Sequence, residues 1–160
     1  MDVAMQEVND LLMAHGVSMA DPGARELVKQ KLSLSDVELE ELFGDGPLTK
    51  YLEDTSVTEI LVNGFEEIWI EKDGKLFLVD EKFSHAESLR RYARKILSSK
   101  NKKVDQLNPF SDCMMGNGFR LHVAVPPVSQ KGILLSIRKF QKKPRNLNEL
   151  LKLEMFSREQ

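Results

Sequence analysis

The hydrophobic residues of the N-terminal part recur at helical spacing, and this pattern predicts three short helices. The first helix covers residues 3–14. The second, in DPGARELVKQKLS, begins after Asp21, which is placed to serve as its N-cap. The third, SDVELEELFG at 35–44, opens on a capping box of serine and glutamate. Together they predict a small acidic helical region over residues 1–43.

Beyond residue 44 the pattern changes to the alternation of apolar and polar residues that is typical of β-strands. The segment EIWIEKDGKLFLVD (67–80) predicts a hairpin, because the Asp-Gly pair at its centre suits a type I′ turn. Three further segments predict strands: EILVNG (59–64), FRLHVAV (119–125) and the returning segment ILLSIRKF (133–140).

One amphipathic helix is predicted between these strands, in SHAESLRRYARKILSS at residues 84–99. Ser84 and Glu87 form a predicted capping box at its start. Its apolar residues fall on one stripe and its basic residues mostly on the other side, as expected for a helix that lies on a sheet. With a further strand at 110–115, the pattern predicts an α+β domain over residues 44–145, in which a mixed or antiparallel sheet packs with helices.

Two arginines on neighbouring predicted strands are the main candidates for binding chemistry. An antiparallel pairing of 119–125 with 133–140 that keeps the apolar residues on one face places Arg120 opposite Arg138 on the other. Like charges directly opposite each other destabilise a sheet, and arginine is suited to bidentate binding of phosphate or carboxylate. The pattern therefore predicts an anion between them, either a nucleotide phosphate or a protein carboxylate. The alternative is that both side chains splay apart into water.

His122 would lie on the same sheet face as Arg120, where it could contact the same anion. The alternative is a structural histidine that is hydrogen-bonded within the sheet. Asp105 and Asp112, the only acidic residues among positions 89–145, are candidate partners of the arginines. The three histidines are too scattered, and the single cysteine too isolated, for a recognisable metal site. We therefore expect no catalytic residue and no metal ligand in this chain.

Charge is distributed unevenly along a chain whose net charge is only −2. Residues 1–45 contain three lysines and arginines against ten acidic residues, a net charge of −7. Residues 89–145 contain fourteen against two, a net charge of +12. The basic part predicts a negatively charged partner, which could be nucleic acid, phosphate, lipid headgroups or the acidic part of this protein. Nucleic acid ranks last, because neither a recognition helix nor stacking aromatic residues accompany the charge.

Several missing features narrow the expected function further. No apolar run reaches the length of a membrane-spanning helix, and the N-terminus does not have the pattern of a secretory signal. One cysteine excludes an internal disulfide, which favours a reducing cytoplasm. The only Gly-Lys pair, Gly74-Lys75, lies in the predicted hairpin turn without the other residues of a P-loop. We therefore expect that this chain alone binds no nucleotide.

Five segments resemble one protein family, in the same order along the chain. They are GPLTKYLEDTSVTEILVNG (46–64), IWIEKDGKL (68–76), NPFSD (108–112), GFRLHVAVPP (118–127) and LSIRKF (135–140). They are similar to the N-terminal domain of type II and type IV secretion ATPases. Within that superfamily they most resemble the CpaF-type ATPase of tight-adherence (Flp) pilus assembly.

The resemblance implies a PAS-like fold and a place in a hexamer. In such ATPases each subunit joins an N-terminal domain, a linker and a RecA-like motor domain, and ATP with magnesium binds between the two domains. The motor domain supplies the P-loop, while the N-terminal domain supplies arginines to the phosphates. Arg120 and Arg138 match the arginines of the family motifs, and His122 is a further candidate for nucleotide binding. Residues 146–160 would begin the linker helix, and we expect the natural protein to continue past Gln160 into a motor domain.

The resemblance also implies the partners and the location of the protein. The implied partners are its own motor domain, neighbouring subunits and platform proteins of the inner membrane, and the protein would lie in the cytoplasm beside that membrane without inserting into it. The chain differs from the family at Met114, where an arginine is usual, and at His122, where an asparagine is usual. Alone it should not hydrolyse ATP, and the activity of the complete protein is left open. The alternative is a standalone regulatory or protein-interaction module without ATP chemistry.

Overall fold

The structure, a computed structural model, describes residues 3–140. The linker helix predicted at 146–160 lies outside the described residues. The described part contains five α-helices, six strands and a 3₁₀ turn at Gly46–Leu48. The helices are α1 (Val3–Ala14), α2 (Ala24–Lys31), α3 (Asp36–Phe43), α4 (Thr49–Glu53) and α5 (Ala86–Ser98). The strands are β1 (Val57–Asn63), β2 (Ile68–Lys72), β3 (Lys75–Val79), β4 (Phe110–Met114), β5 (Arg120–Ala124) and β6 (Leu134–Arg138).

These six strands form one antiparallel sheet in the order β3-β2-β1-β6-β5-β4. The β2–β3 hairpin turns at Asp73 and Gly74, whose φ angles of 50° and 72° are the left-handed values that a type I′ turn requires. Strand β6 pairs with β1, so the N-terminal hairpin and the C-terminal strands share one surface. The predicted α+β class is confirmed, while the PAS-like label stays a prediction.

One face of the sheet, which we call the covered face, packs against α5 in the main hydrophobic core. The apolar stripe predicted for α5 is buried there along its whole length; its members are Leu89, Tyr92, Ala93, Ile96 and Leu97. From the sheet, Ile60, Leu121 and Ile137 have no exposed surface at all. The alternation in the strands follows from this contact, because every second side chain enters the core.

Helices α1, α2 and α3 form a second, smaller core, which includes Val8, Val28 and Leu39. A buried carboxylate joins this helical region to the start of α5. Glu41 accepts hydrogen bonds from the backbone N–H of Ser84 at 2.7 Å and from its Oγ at 2.6 Å. Because a buried carboxylate needs such donors, this contact fixes the helical region against the sheet domain.

The predicted capping box at the start of α5 is wrong. Ser84 is bonded to Glu41 and is not the N-cap. The N-cap is His85, whose Nδ1 accepts the backbone N–H of Ser88 at 3.0 Å. Ser84 therefore bonds to the carboxylate of Glu41 on α3 and not to Glu87, the partner that the local sequence predicts.

The predicted start of α2 is also wrong. The carboxylate of Asp21 accepts the backbone N–H of Ser18 at 2.6 Å, which closes a turn before the helix. Helix α2 begins at Ala24, with Gly23 in the N-cap position and no side-chain cap. The short helix α4 has no counterpart among the predicted elements.

Candidate anion-binding site

The side of the sheet opposite α5, which we call the open face, is covered by no helix among residues 3–140. Its side chains come from alternate positions of all six strands, and each is exposed or half-buried. In sheet order they are Leu76, Leu78, Trp69, Glu71, Glu59, Leu61, Asn63, Leu134, Ser136, Arg138, Arg120, His122, Ala124, Phe110, Asp112 and Met114. The open face therefore mixes apolar and charged groups, and it contains all the predicted site residues.

The structure brings the two predicted arginines together. Strands β5 and β6 pair in the predicted register, which places Arg120 directly opposite Arg138 on the open face. On the covered face the same register pairs Leu121 with Ile137, and both of these are buried. Packing of the covered face thus holds the two arginines on adjacent strands, because a slip by one residue would move each side chain to the other face.

The two arginines differ in their surroundings. Arg120 lies with Nη2 3.4 Å from Oδ2 of Asp112, so the prediction that Asp112 pairs with an arginine is confirmed. Arg138 is exposed and forms no ion pair with any residue in the described part of the chain. Its neighbour Glu59 on β1 accepts instead a hydrogen bond from Oγ of Ser136 at 2.8 Å. The Arg138 guanidinium is therefore the better placed of the two to receive an external anion.

A polar cavity of about 550 Å³ lies next to Arg138. The other residues that line it are Thr55, Ser56, Thr58, Gly74 and Lys139, together with the acidic residues Glu71 and Asp73. The Lys139 ammonium is already engaged, since Nζ donates to two backbone carbonyls at 2.8 and 2.6 Å. Arg138 is consequently the cation in this cavity that can turn towards a ligand.

Sequence reasoning missed the carboxylates beside the arginine pair. A row of paired side chains crosses the sheet from β2 to β4, in the order Glu71, Glu59, Arg138, Arg120 and Met114. The alternation in EILVNG indicates which face of the sheet Glu59 occupies. It does not indicate that β1 pairs with β6, and this pairing is what places Glu59 beside Arg138. Met114 stands opposite Arg120, so an arginine at this position would have extended the cationic part of the row.

His122 lies one row away from the arginines, between Ser136 on β6 and Asp112 on β4. It lines a different depression of about 410 Å³, which also includes the apolar side chains of Leu61 and Phe110. The imidazole shares the open face with Arg120 and Arg138 but does not line the polar cavity. Its role in anion binding stays a prediction.

Comparison with known proteins gives distant relatives. No family model matches the chain. A conjugal transfer protein of Mycobacterium tuberculosis, from strains CDC 1551 and H37Rv, is 28% identical over 104 residues. The match covers 61% of this chain and 30% of the relative, so the chain corresponds to less than one third of that protein.

Two solved structures resemble the fold. The VirB11 ATPase of the Brucella suis type IV secretion system, in complex with sulphate, aligns over 70% of this chain and 34% of its own, with 22% identity and a TM-score of 0.58. The Legionella pneumophila ATPase DotB aligns over 69% of this chain and 32% of its own, with 17% identity and a TM-score of only 0.40. The chain thus shares its fold with about one third of the VirB11 ATPase.

No helix within residues 3–140 is both long and apolar enough to cross a membrane.

Proposed function

We propose that this chain is one domain of a hexameric secretion ATPase and presents Arg120 and Arg138 to nucleotide bound by a RecA-like motor domain. The observation that carries the proposal is the direct pairing of the two arginines on the open face. Like charges directly opposite each other destabilise a sheet, and the Asp112 carboxylate pairs only with the Arg120 side of the pair. The triphosphate of ATP would supply negative charge beside Arg138.

In this function the arginines act through electrostatics. As the γ-phosphate is transferred to water, negative charge spreads over its oxygens, and a guanidinium at hydrogen-bond distance stabilises that charge. Arg138 would make the main contact, Arg120 would turn from Asp112 towards the same anion, and His122 would be a secondary contact. ATP and magnesium would be held by the motor domain, because this sequence contains no P-loop.

The comparisons support this proposal at a coarser level. The relatives are named for conjugal transfer and for type IV secretion, and the Brucella suis VirB11 structure contains sulphate, a tetrahedral anion like a phosphate group. The finer assignment, the CpaF-type subgroup with a role in pilus assembly, rests on the sequence resemblance. It would place the protein in the cytoplasm, with neighbouring subunits and inner-membrane platform proteins as partners.

The proposal is tested with the longest protein that the gene encodes. Arg138→Ala should lower kcat for ATP hydrolysis by roughly 10²-fold or more, as is typical for loss of an arginine that stabilises the transferred phosphoryl group. Arg120→Ala should have a smaller effect, because Asp112 competes for that guanidinium. Lys75→Ala, at the far edge of the same sheet, is the matched control and should leave kcat and KM unchanged.

Two results would overturn the proposal. One is an unchanged rate and unchanged nucleotide affinity in Arg138→Ala. The other is a stop codon at the end of this sequence, without a separate motor protein that binds the domain. That second result would favour the standalone interaction module, in which the open face binds a partner without ATP chemistry.

A further inference from the structure

A basic groove lies beside α5, on the side of the molecule away from the open face. It has a volume of about 450 Å³ and is bounded by α5, residues 102–106 and the loop between β5 and β6. Its floor is apolar, with Leu97 and Ile133 buried beneath it. Its rim carries four cationic side chains, those of Arg90, Arg94, Lys102 and Lys103. A fitting partner must therefore combine negative charge with apolar surface.

The positive charge of the basic groove is only partly offset within the molecule. Asp105 is the one acidic residue among the described residues that line it. Its carboxylate accepts the backbone N–H groups of Leu107 at 3.0 Å and Asn108 at 2.8 Å, and Lys103 lies 3.6 Å away. Arg94 makes no ion pair with any residue between positions 3 and 140. The rim thus retains a guanidinium that is available to an external carboxylate.

Helix α1 of the same chain displays the complementary surface. Glu7, Asp10 and Met13 follow one another at a spacing of three residues, which places them on one helix face. All three are exposed, Met13 by 79%, and within the described part neither carboxylate forms an ion pair. Val8 and Leu12, on the opposite side of α1, are buried in the helical core. The exposed face therefore offers two negative charges beside one large apolar side chain.

A chain does not place its own α1 in its own groove. The helical region is held against a different side of α5, where Glu41 bonds to Ser84 and Lys95 donates to the carbonyl of Gly44. The described lining of the basic groove includes no residue of α1, α2 or α3. The complementary surfaces can therefore meet only between two molecules.

We propose that the basic groove of one copy of this chain receives the α1 face Glu7-Asp10-Met13 of a second copy. Carboxylates of α1 pair with Arg94 and its neighbours on the rim, and Met13 lies on the apolar floor. The contact joins two different surfaces, so it leads from copy to copy and closes into a ring when the rotation allows. This contact is independent of the arginine pair on the open face and of any nucleotide.

Sedimentation velocity of the 160-residue chain, from micromolar to near-millimolar concentration, tests the proposal. The chain should associate in a concentration-dependent way, and added salt should weaken the association, because exposed charges are screened. Arg94→Glu and Asp10→Lys should each raise the dissociation constant about tenfold or more, since each places like charges in contact. Arg94 is chosen because Arg90 already has Glu87 at 3.5 Å. Lys75→Glu is the matched charge-reversal control and should associate like the unaltered chain.

Mixing the two variants gives a sharper test than either variant alone. The Arg94→Glu chain retains an intact α1 face, and the Asp10→Lys chain retains an intact groove. An equimolar mixture should therefore form a heterodimer of nearly unaltered affinity, although each variant alone stays monomeric at the same concentration. Circular dichroism of each variant checks that the fold is retained.

Three results would overturn the proposal. The unaltered chain could stay monomeric at the highest concentration, both variants could associate as the unaltered chain does, or the mixture could fail to associate. Vesicles that contain an anionic phospholipid separate the main competing occupant. If a monomeric chain binds these vesicles and Arg94→Glu abolishes binding, the groove receives a membrane surface and not α1.

Discussion

The two faces of the sheet are built from the same strands but differ sharply in burial. On the covered face, Ile60, Leu121 and Ile137 are fully buried under α5. On the open face, the residues adjacent to Leu121 and Ile137 are Arg120 and Arg138, and both are exposed. A step of one residue therefore separates a side chain that is buried in the core from one that is exposed on the open face. We therefore expect the effect of a substitution on stability to depend mainly on which face of the sheet the residue occupies.

Packing on the covered face also determines where the side chains of the open face lie. Arginines side by side do not stabilise a strand pair, so the open face gives no reason for this register. The register follows from the covered face, where Leu121 meets Ile137 and Val123 meets Leu135. Apolar packing on one side thus keeps two like charges together on the other.

The strongest test of this comparison is a pair of substitutions at adjacent residues. Ile137→Ala removes a fully buried side chain, and we expect it to lower the free energy of unfolding by roughly 2–5 kcal/mol. Arg138→Ala removes an exposed side chain, and its effect should stay within about 0.5 kcal/mol. Urea denaturation followed by the fluorescence of Trp69, the only tryptophan, measures both.

If Ile137→Ala does not fold, Ile137→Val provides the graded version. It deletes one methylene and should cost about 0.5–1.5 kcal/mol. The distinction between the faces fails if Arg138→Ala destabilises the protein as much as the isoleucine variants do. That result would mean that Arg138 carries a structural contact, which would also weaken the proposed role in binding phosphate.

The second prediction concerns the helix that covers the covered face. Glu41 holds the start of α5 through two hydrogen bonds to Ser84. Glu41→Ala removes a buried carboxylate together with both of its hydrogen bonds to Ser84, and we expect a loss of about 1–3 kcal/mol in the free energy of unfolding. Glu41→Gln should lose less, because its amide can still bond to both groups.

Glu26→Ala is the control for this prediction, because Glu26 is exposed on α2 and, within residues 3–140, its side chain bonds only to Gln30 one turn away. It should change stability by no more than about 0.5 kcal/mol. Equal effects of Glu41→Ala and Glu26→Ala in urea denaturation would show that the buried carboxylate does not anchor α5. The helical region would then be held against the sheet domain by its other contacts, such as the hydrogen bond from Thr49 to Glu40 at 2.8 Å.

Much of the fold follows from local sequence, because its signals are short-range. The Asp73-Gly74 turn, the stripe of α5 and the Ser35–Glu38 capping box all depend on residues a few positions apart. The arginine pair could be predicted for the same reason, since β5 and β6 are consecutive strands joined by one loop.

The sequence predictions fail where segments that are distant along the chain contact each other. Ser84 bonds to Glu41, which lies 43 positions away, and no local pattern indicates such a partner. Glu59 lies beside Arg138 because β1 pairs with β6, and that pairing crosses the chain from one end of the sheet domain to the other. Alternation assigns a face to each residue, but it does not say which strands become neighbours.

The smallest predicted effect concerns a carboxylate at the end of the open face. Glu67 accepts hydrogen bonds from Nζ of Lys131 at 2.8 Å, Nε1 of Trp69 at 2.6 Å and Nδ2 of Asn63 at 3.2 Å. These contacts, chiefly that of Lys131, lower the pKa of Glu67 from 4.5 to about 2. Because the folded-state pKa is lowered, the stabilising contribution is complete above pH 4.5 and is lost as the pH falls towards 2.

Glu67→Gln should therefore lower the urea midpoint at neutral pH by a small amount, and the difference from the unaltered chain should shrink between pH 4.5 and 2. Far-UV circular dichroism is the suitable probe, since the substitution changes the surroundings of Trp69 directly. Glu66→Gln, at the exposed neighbouring position, should leave the midpoint unchanged at every pH. A difference between Glu67→Gln and the unaltered chain that stays constant down to pH 2 would show that ionisation of Glu67 does not contribute. The Glu67 side chain would then contribute through hydrogen bonds and packing that a neutral glutamine side chain or a protonated carboxyl group also provides.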